Sequence, residues 1–555
     1  MISPFARHLG LALSTAAVLA AGAQGQAVIT LINGDLPGDF MGWANSYAGD
    51  INDDGYDDVL VGAPFADPNG SSSGLARIYS GKDKSILFEW HGKFAGDRFG
   101  QMVSDVGDVN LDGFPDVVID ALFCDTPNGV DSGQVEVYSG ADGSVLYTWD
   151  GDAAGDGYGD AVADAGDVNG DGLPDIAVSA RLNDGNGETS GMARIYSGFD
   201  GSELYTWYGD HPGDALGNGL DGAGDVNADG YADVVMGSRW DDPNGLQSGS
   251  AQVRSGLDGS VIRKWDGWAA GVNLGNSTGA AGDVNLDGYD DVIVGVWKDN
   301  FNGDQSGTAV VYSGFDGSAI YTVHGEQPGD LMGTFVSRVG DANHDGWEDF
   351  AASPSISDFP FSGSGAICVY SGKDGALLYT VYGDGNGDQL GDVLGEAGDV
   401  NADGWADMIS GAYWNDAAGK DAGTARVYSG TITQIPSVGS GLAGTKGVPV
   451  LIAGGTLAAG EPMTLKLNEA RPFSLAYLFV GLGALNAPFK GGVMIPTLDL
   501  VLSGLPTDKH GQFLLSTPFP SGVPSGFSLW FQYWISDPAG PKGFAASNGA
   551  HGTTP

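Results

Sequence analysis

Short apolar runs rich in β-branched residues recur along most of the chain, separated by turns of glycine, aspartate and asparagine. Examples are Val59–Val61, Val117–Ile119 and Val292–Val294. Runs of this length and composition, bounded by turn residues, predict β-strands. A short strand precedes each run and two more follow it, as at Gln134–Tyr138 and Ser144–Trp149. The pattern therefore predicts units of four strands.

The unit occurs seven times, with starts 58 or 59 residues apart. Four-stranded units at this period are typical of propeller blades, whereas the turns of a β-solenoid, the structural alternative, are much shorter. The seventh unit reaches Ala425–Gly430 and then lacks its fourth strand, while a strand-like segment at Ala27–Asn33 precedes the first unit. We predict an all-β, seven-bladed β-propeller at 27–430, in which the segment 27–33 completes the last blade and removes its open edge.

A nine-residue loop, Asp-x-Asn-x-Asp-Gly-x-x-Asp, joins the first two predicted strands of every unit. Oxygen donors at positions 1, 3, 5 and 9, with a backbone carbonyl at position 7, suit Ca²⁺, and glycine at position 6 permits the sharp turn. Magnesium fits less well because it requires a smaller octahedral shell. A turn rich in Asp and Asn without any metal is the alternative. Seven intact copies favour Ca²⁺ as the cofactor, at up to seven sites.

The predicted side-chain donors are Asp50, Asn52, Asp54, Asp58, Asp108, Asn110, Asp112, Asp116, Asp167, Asn169, Asp171, Asp175, Asp225, Asn227, Asp229, Asp233, Asp283, Asn285, Asp287, Asp291, Asp341, Asn343, Asp345, Asp349, Asp399, Asn401, Asp403 and Asp407. The predicted carbonyl donors are Tyr56, Phe114, Leu173, Tyr231, Tyr289, Trp347 and Trp405. EF-hands and dockerins share the opening of this loop but continue into a helix, and the EF-hand requires Glu at position 12. Position 12 here is apolar or small, as at Val61 and Ser410, so the loop is predicted to lead into a strand.

The units resemble the FG-GAP repeats of the integrin α-subunit propeller. The resemblance rests on Phe99–Gly100, on Gly62–Pro64 and on the metal loop between such elements, and it covers about residues 27–430. It implies a seven-bladed propeller whose calcium loops lie on one face and leave the other face for ligands. The legs and the partner subunit of integrins are not implied.

The net charge, the N-terminal pattern and the cysteine content limit the partners and the location that we expect for the protein. The net charge of −48 argues against nucleic acid and against anionic membrane surfaces as partners. Residues 1–23 have the pattern of a secretory signal peptide, and no later run is long enough for a transmembrane segment. Cys124 and Cys368 lie in different units and are predicted to be unpaired.

Beyond a linker at 431–446, the period is lost. Apolar strands at Met463–Leu467, Leu498–Leu502 and Phe527–Trp534 alternate with turns and predict a small β-sandwich at 447–555. Its aromatic residues are assigned mainly to the core, with sugar binding as the alternative.

No catalytic group emerges from the sequence. The Gly-x-Ser-x-Gly string around Ser72 lies in a polar loop and not at a strand-to-helix elbow, and the histidines show no zinc-binding spacing. We therefore expect a secreted or cell-surface adhesion or ligand-binding module, with an extracellular protein or glycan as partner. A polysaccharide lyase or hydrolase, or a structural envelope protein, are the alternatives. Trp268, Phe359 and Phe361 depart from the repeat and are candidate contact residues, unless they reflect decay of the repeat.

Overall fold

The computed structural model describes residues 28–553 except 344, 403–405, 430–436, 439–441, 446–447, 455–456, 458–461, 469, 483, 491, 508–512 and 519–526. The predicted signal peptide 1–23, residue 27 and most of the predicted linker 431–446 lie outside the described residues. The chain divides into two compact units: the larger comprises Val28–Leu378 and Gly385–Thr431, and the smaller includes Ile432–Pro555. The predicted domain boundaries remain predictions.

Strands between residues 28 and 428 form an all-β propeller of seven four-stranded antiparallel sheets. Its strands are β1 Val28–Asn33, β2 Ala44–Gly49, β3 Asp58–Ala63, β4 Leu75–Tyr79, β5 Ile86–His91, β6 Phe99–Asp105, β7 Val117–Ala121, β8 Gln134–Tyr138, β9 Val145–Asp150, β10 Val162–Gly166, β11 Asp175–Ala180, β12 Met192–Tyr196, β13 Glu203–Tyr208, β14 Leu220–Gly224, β15 Asp233–Ser238, β16 Ser250–Arg254, β17 Val261–Asp266, β18 Leu274–Gly282, β19 Asp291–Val296, β20 Thr308–Tyr312, β21 Ala319–His324, β22 Met332–Arg338, β23 Phe350–Pro354, β24 Ala366–Tyr370, β25 Leu377–Tyr382, β26 Val393–Gly398, β27 Asp407–Ala412 and β28 Thr424–Tyr428. Blades 1 to 6 each contain four consecutive strands, from β2–β5 to β22–β25.

The seventh blade is completed by the N-terminal strand. Its strand order is β1-β28-β27-β26, and β1 pairs antiparallel with β28, with Ile32 opposite Ala425. The first strands of successive blades contact one another around the ring, and β26 contacts β2. The closure predicted from the two ends of the repeat is therefore confirmed.

The core of the propeller lies between blades. Val59 and Val61 of β3 belong to a buried cluster shared with blade 7, whereas Leu60 belongs to one shared with blade 2. Successive side chains of a strand point to opposite faces of its sheet, so a strand covered on both faces is apolar throughout. This explains why the second strand of each unit is an unbroken apolar run.

The smaller unit contains a five-stranded sheet, β29-β38-β37-β32-β35, a three-stranded sheet, β30-β31-β36, and the hairpin β33-β34. Its elements are β29 Ser437–Val438, β30 Val450–Gly454, β31 Pro462–Asn468, β32 Leu475–Gly481, β33 Ala484–Phe489, β34 Gly492–Pro496, β35 Leu500–Pro506, β36 Phe513–Pro518, β37 Ser528–Ser536, a 3-10 helix Pro541–Gly543 and β38 Phe544–Thr553. One core cluster joins Leu465 and Leu515 of the smaller sheet to Leu478 and Phe531 of the larger one, as in a sandwich.

Candidate metal centres

The seven predicted metal loops all connect the first and second strands of their blades. Each blade is an antiparallel meander, so this connection and the turn between the third and fourth strands lie at one end of the sheet. The loop between the second and third strands and the connection to the next blade lie at the other end. We call these the metal-loop face and the opposite face.

The aspartate at position 1 is the centre around which each described loop is wrapped. In blade 1 the Asp50 carboxylate accepts the backbone N–H of Asp54 at 2.9 Å and that of Gly55 at 2.7 Å. Gly55 has a φ of 83°, a left-handed conformation that glycine adopts without a steric penalty. The same two bonds recur in blades 2 to 6, so the backbone of each of these loops wraps around the carboxylate of its first aspartate.

The aspartate at position 9 is the first residue of the second strand, or the residue just before it, and is buried. In blade 1 the two carboxylate oxygens of Asp58 accept the N–H of Ile51 and the N–H of Gly81, each at 3.0 Å. Gly81 lies in the turn between the third and fourth strands, so Asp58 also anchors that turn. The sequence predicted a ligand at this position and did not reveal its second, structural role.

Burial and the other loop carboxylates oppose ionisation at position 9. Burial is the larger cause, and it raises the pKa to about 7 for Asp58, Asp233, Asp291 and Asp349, and to about 6 for Asp116 and Asp175. Nearby carboxylates at positions 1 and 5 add to the rise. A divalent cation among these oxygens would reverse the balance by favouring their charged forms.

The asparagine at position 3 provides the test of whether the loops fit a metal. The side-chain oxygens of Asn227, Asn285 and Asn343 are buried and accept no hydrogen bond within the described structure. An unsatisfied buried oxygen is costly, and a bound cation would satisfy it. In blades 2 and 3 the equivalent oxygens of Asn110 and Asn169 accept the N–H of position 5. The oxygen-only donor set and the three orphaned oxygens fit Ca²⁺.

The seventh loop is described only in part, because Asp403 and Trp405 lie outside the described residues. The part that is described repeats the pattern of the other blades. Asp407 is 1% exposed and accepts the backbone N–H of Val400 at 3.0 Å.

Hydrogen bonds from a backbone N–H to an aspartate carboxylate also link metal loops of neighbouring blades. The Asp57 carboxylate, at position 8 of loop 1, accepts the N–H of Asp399, the first residue of loop 7, at 2.6 Å. Asp290 of loop 5 makes the equivalent bond to the N–H of Asp225 in loop 4 at 2.8 Å. Position 8 is not a metal ligand, so this role was not predicted from the sequence. Of the seven loops, two have Asp at position 8, namely those of Asp57 and Asp290.

The opposite face carries an aromatic cluster where blades 7 and 1 meet. Trp43 and Tyr413 have ring centroids 4.5 Å apart, and Phe40 lies 4.9 Å from both Phe65 and Trp414. Trp414 is 38% exposed. We call these five residues the closure aromatic cluster; the sequence analysis did not single them out.

The predicted contact residues also lie on the opposite face, with differing exposure. Trp268 is 48% exposed, and its indole N–H donates to Asp299 Oδ1 at 3.2 Å, which fixes the ring. Phe359 and Phe361, the other two candidate contact residues, are half-buried, although a contact surface was expected to expose them. Ser72 of the Gly-x-Ser-x-Gly string lies in the loop between β3 and β4, and Cys124 and Cys368 are buried and form no disulfide within the described residues.

A family model for the FG-GAP repeat matches residues 42–79, which contain the first metal loop and strands β3 and β4. The chain therefore contains an FG-GAP repeat. It is 30% identical to integrin alpha-V of Gallus gallus over 210 residues, which is 34% of the chain and 19% of the relative. It is also 30% identical to integrin alpha-4 of Xenopus laevis over 213 residues, covering 36% of the chain and 20% of the relative.

A further relative has an enzyme name. The chain is 33% identical over 175 residues to the phosphatidylinositol-glycan-specific phospholipase D of Bos taurus, which is 28% of the chain and 21% of the relative. The chain spans about a fifth of the length of these curated relatives. Within the described residues, the protein has no helix of the length and apolarity that a membrane span requires.

Proposed function

We propose that this FG-GAP protein is a secreted or cell-surface, calcium-binding propeller that acts as an adhesion or ligand-binding module. Its seven loops bind calcium for structural reasons, and its opposite face binds an extracellular protein or glycan. The similarity to integrin alpha chains and the integrin-like propeller support a binding module.

The observation that carries the proposal is the separation of the two faces. Every metal loop lies at one end of its blade, where its groups are used to hold the loop and its neighbours together. The opposite end carries loops of differing sequence and exposed aromatic residues, among them Trp268 and Trp414. Aromatic side chains are enriched in binding interfaces because they bury a large area with little loss of conformational entropy.

The test is retention on an array of extracellular glycans and matrix proteins in calcium-containing buffer. Trp268→Ala and Trp414→Ala should each reduce retention on the recognised ligand at least severalfold. The matched control is Phe199→Ala, because Phe199 is 66% exposed but lies in the turn between β12 and β13 on the metal-loop face. Equal loss from all three variants, or no retention of the parent protein, would contradict the proposal.

The enzyme alternative is tested in the same experiment. Polysaccharides, esters and phosphodiesters are incubated with the calcium-loaded protein and products are measured. Calcium-dependent turnover well above the blank would replace the binding proposal by a hydrolase or lyase. Retention of the protein on a ligand without formation of product would support the binding proposal.

A further inference from the structure

A cluster of three metal-ligating side chains lies on the opposite face of blade 4. His211 and Asp214 belong to the connection between β13 and β14, and Asp241 follows β15. One ligand atom from each lies within 4.8 Å of the others. Asp214 and Asp241 are 5% and 8% exposed, whereas the His211 side chain is 76% exposed. Two nearly buried carboxylates therefore face one accessible imidazole.

Blades 3 and 7 satisfy the carboxylate at the Asp214 position with an amide donor. There the equivalent of Asp241 is an asparagine: Asn183 donates to Asp156 Oδ2 at 2.9 Å, and Asn415 donates to Asp388 Oδ2 at 2.9 Å. Blade 4 is the one blade with aspartate at both positions.

The change leaves Asp214 without the amide donor. Asp214 Oδ2 accepts the backbone N–H of His211, and no side chain in the described structure donates a hydrogen bond to it. A like-charged pair at a nearly buried position requires a proton or a cation between its members.

The surroundings supply only part of that positive charge. Lys264 Nζ lies 3.6 Å from Asp241 Oδ2 and 3.4 Å from Asp210 Oδ2, so it is shared between two carboxylates. Asp241 also accepts the Ser250 hydroxyl at 2.7 Å. A cavity of about 610 Å³ opens beside the cluster and leaves room for an ion and water. Because Lys264 repels a cation, its removal should favour metal binding.

We propose that His211, Asp214 and Asp241 bind a first-row transition-metal ion, with Zn²⁺ as the test ion. Imidazole is a ligand for zinc and its neighbours in the series, whereas calcium takes oxygen ligands. The site is thus chemically distinct from the seven calcium loops, and it lies on the other face of the propeller. Its three ligands come from two separate loops, which is why no zinc-binding spacing is visible in the sequence.

The experiment titrates Zn²⁺ into the full-length protein by calorimetry, with calcium in excess so that the calcium loops are filled. We expect one zinc site. His211→Ala and Asp241→Asn should each weaken its affinity by at least about tenfold, since even outer residues of a metal site contribute that much. Lys264→Met should strengthen it severalfold. His91→Ala is the matched control, because His91 Nε2 lies 3.0 Å from Glu89 Oε1 in blade 1, away from the cluster, and its loss should not affect zinc binding.

A second set of variants tests the zinc site even if one of the first variants fails to fold. Asp241→Asn copies the residue found in blades 3 and 7, and its zinc-free melting temperature should equal that of the parent. In blade 3 the double change Ala153→His and Asn183→Asp should create a second zinc site beside Asp156, where Thr206 stands in place of Lys264. Any of three results would overturn the proposal: calcium displaces the zinc, zinc binding persists unchanged in His211→Ala, or zinc binding is lost in Lys264→Met.

Discussion

At the scale of single residues, the metal loops combine two requirements in one sequence. Asp50 must accept backbone N–H groups to shape its loop and must also retain lone pairs for a cation, and a carboxylate can do both. The sequence predicts the donors because the pattern repeats seven times. It was not sufficient to show that Asp58 anchors a distant turn, since Gly81 lies 23 residues away.

The charge at position 5 gives the first prediction. Asp229→Asn keeps an oxygen that can accept the N–H of Tyr231, but removes a charge that raises the pKa of Asp233. In calcium-free buffer the free energy of unfolding should stay equal or rise by up to about 1 kcal/mol, the size of exposed charge interactions. The stabilisation gained on adding calcium should fall. Chemical denaturation in both buffers measures the two effects.

Asp258→Asn is the matched control for this prediction. Asp258 lies on the metal-loop face and accepts the N–H of Ser260, but it belongs to the turn between β16 and β17. Its neutralisation should leave the calcium response unchanged. An equal loss of calcium response in both variants would show that general surface charge, and not ligation, is measured.

The buried position-9 aspartates give a second prediction, on pH. Their pKa values in the calcium-free fold, about 6 to 7, lie above the ordinary value of 3.8. A group with a raised pKa stabilises the fold below its unfolded pKa and loses that contribution as pH rises through the folded pKa. The melting temperature of the metal-free protein should therefore fall between pH 4 and pH 7. A melting temperature that rises over this interval would contradict the assignment.

At the scale of elements, the strand pattern was largely predictable and its boundaries were less so. Gln134–Tyr138 was predicted with the bounds that the structure gives to β8. The predicted strand at 498–502 was placed too early, because β35 begins at Leu500. Asp499 instead accepts the N–H of Leu482, a bond across 17 residues that holds the preceding residues in a bend. Local apolar pattern cannot report such a distant partner.

The closing strand gives the third prediction. A chain that begins at Gly34 lacks β1 and leaves the strand Thr424–Tyr428 with an unpaired edge. The truncation also removes Ile32, a core residue that is 4% exposed. Exposed edges promote aggregation, so this chain should have a lower melting temperature and sediment as oligomers. A chain beginning at Ala27 is the control, and equal behaviour of the two would mean that the ring is closed by other contacts.

At the scale of the whole propeller, hydrogen bonds link metal loops of neighbouring blades at two places in the ring. The bonds from Asp57 to loop 7 and from Asp290 to loop 4 join neighbouring sites, and β1 joins the two ends of the repeat. The number of blades and the closure of the ring could be predicted from the sequence, because the repeat has a regular period and its last copy lacks one strand. The links between loops, the closure aromatic cluster and the His211 cluster did not, because each depends on residues brought together by the ring.

The most direct test of the calcium-held propeller is differential scanning calorimetry of the full chain, with calcium and with excess chelator, beside a calcium-binding stoichiometry. A ligand that binds only the native state stabilises it by mass action, and removal of calcium leaves the loop carboxylates facing one another. The account predicts up to seven bound Ca²⁺ and a substantially lower melting temperature in chelator. Superimposable melting curves in the two buffers would contradict it.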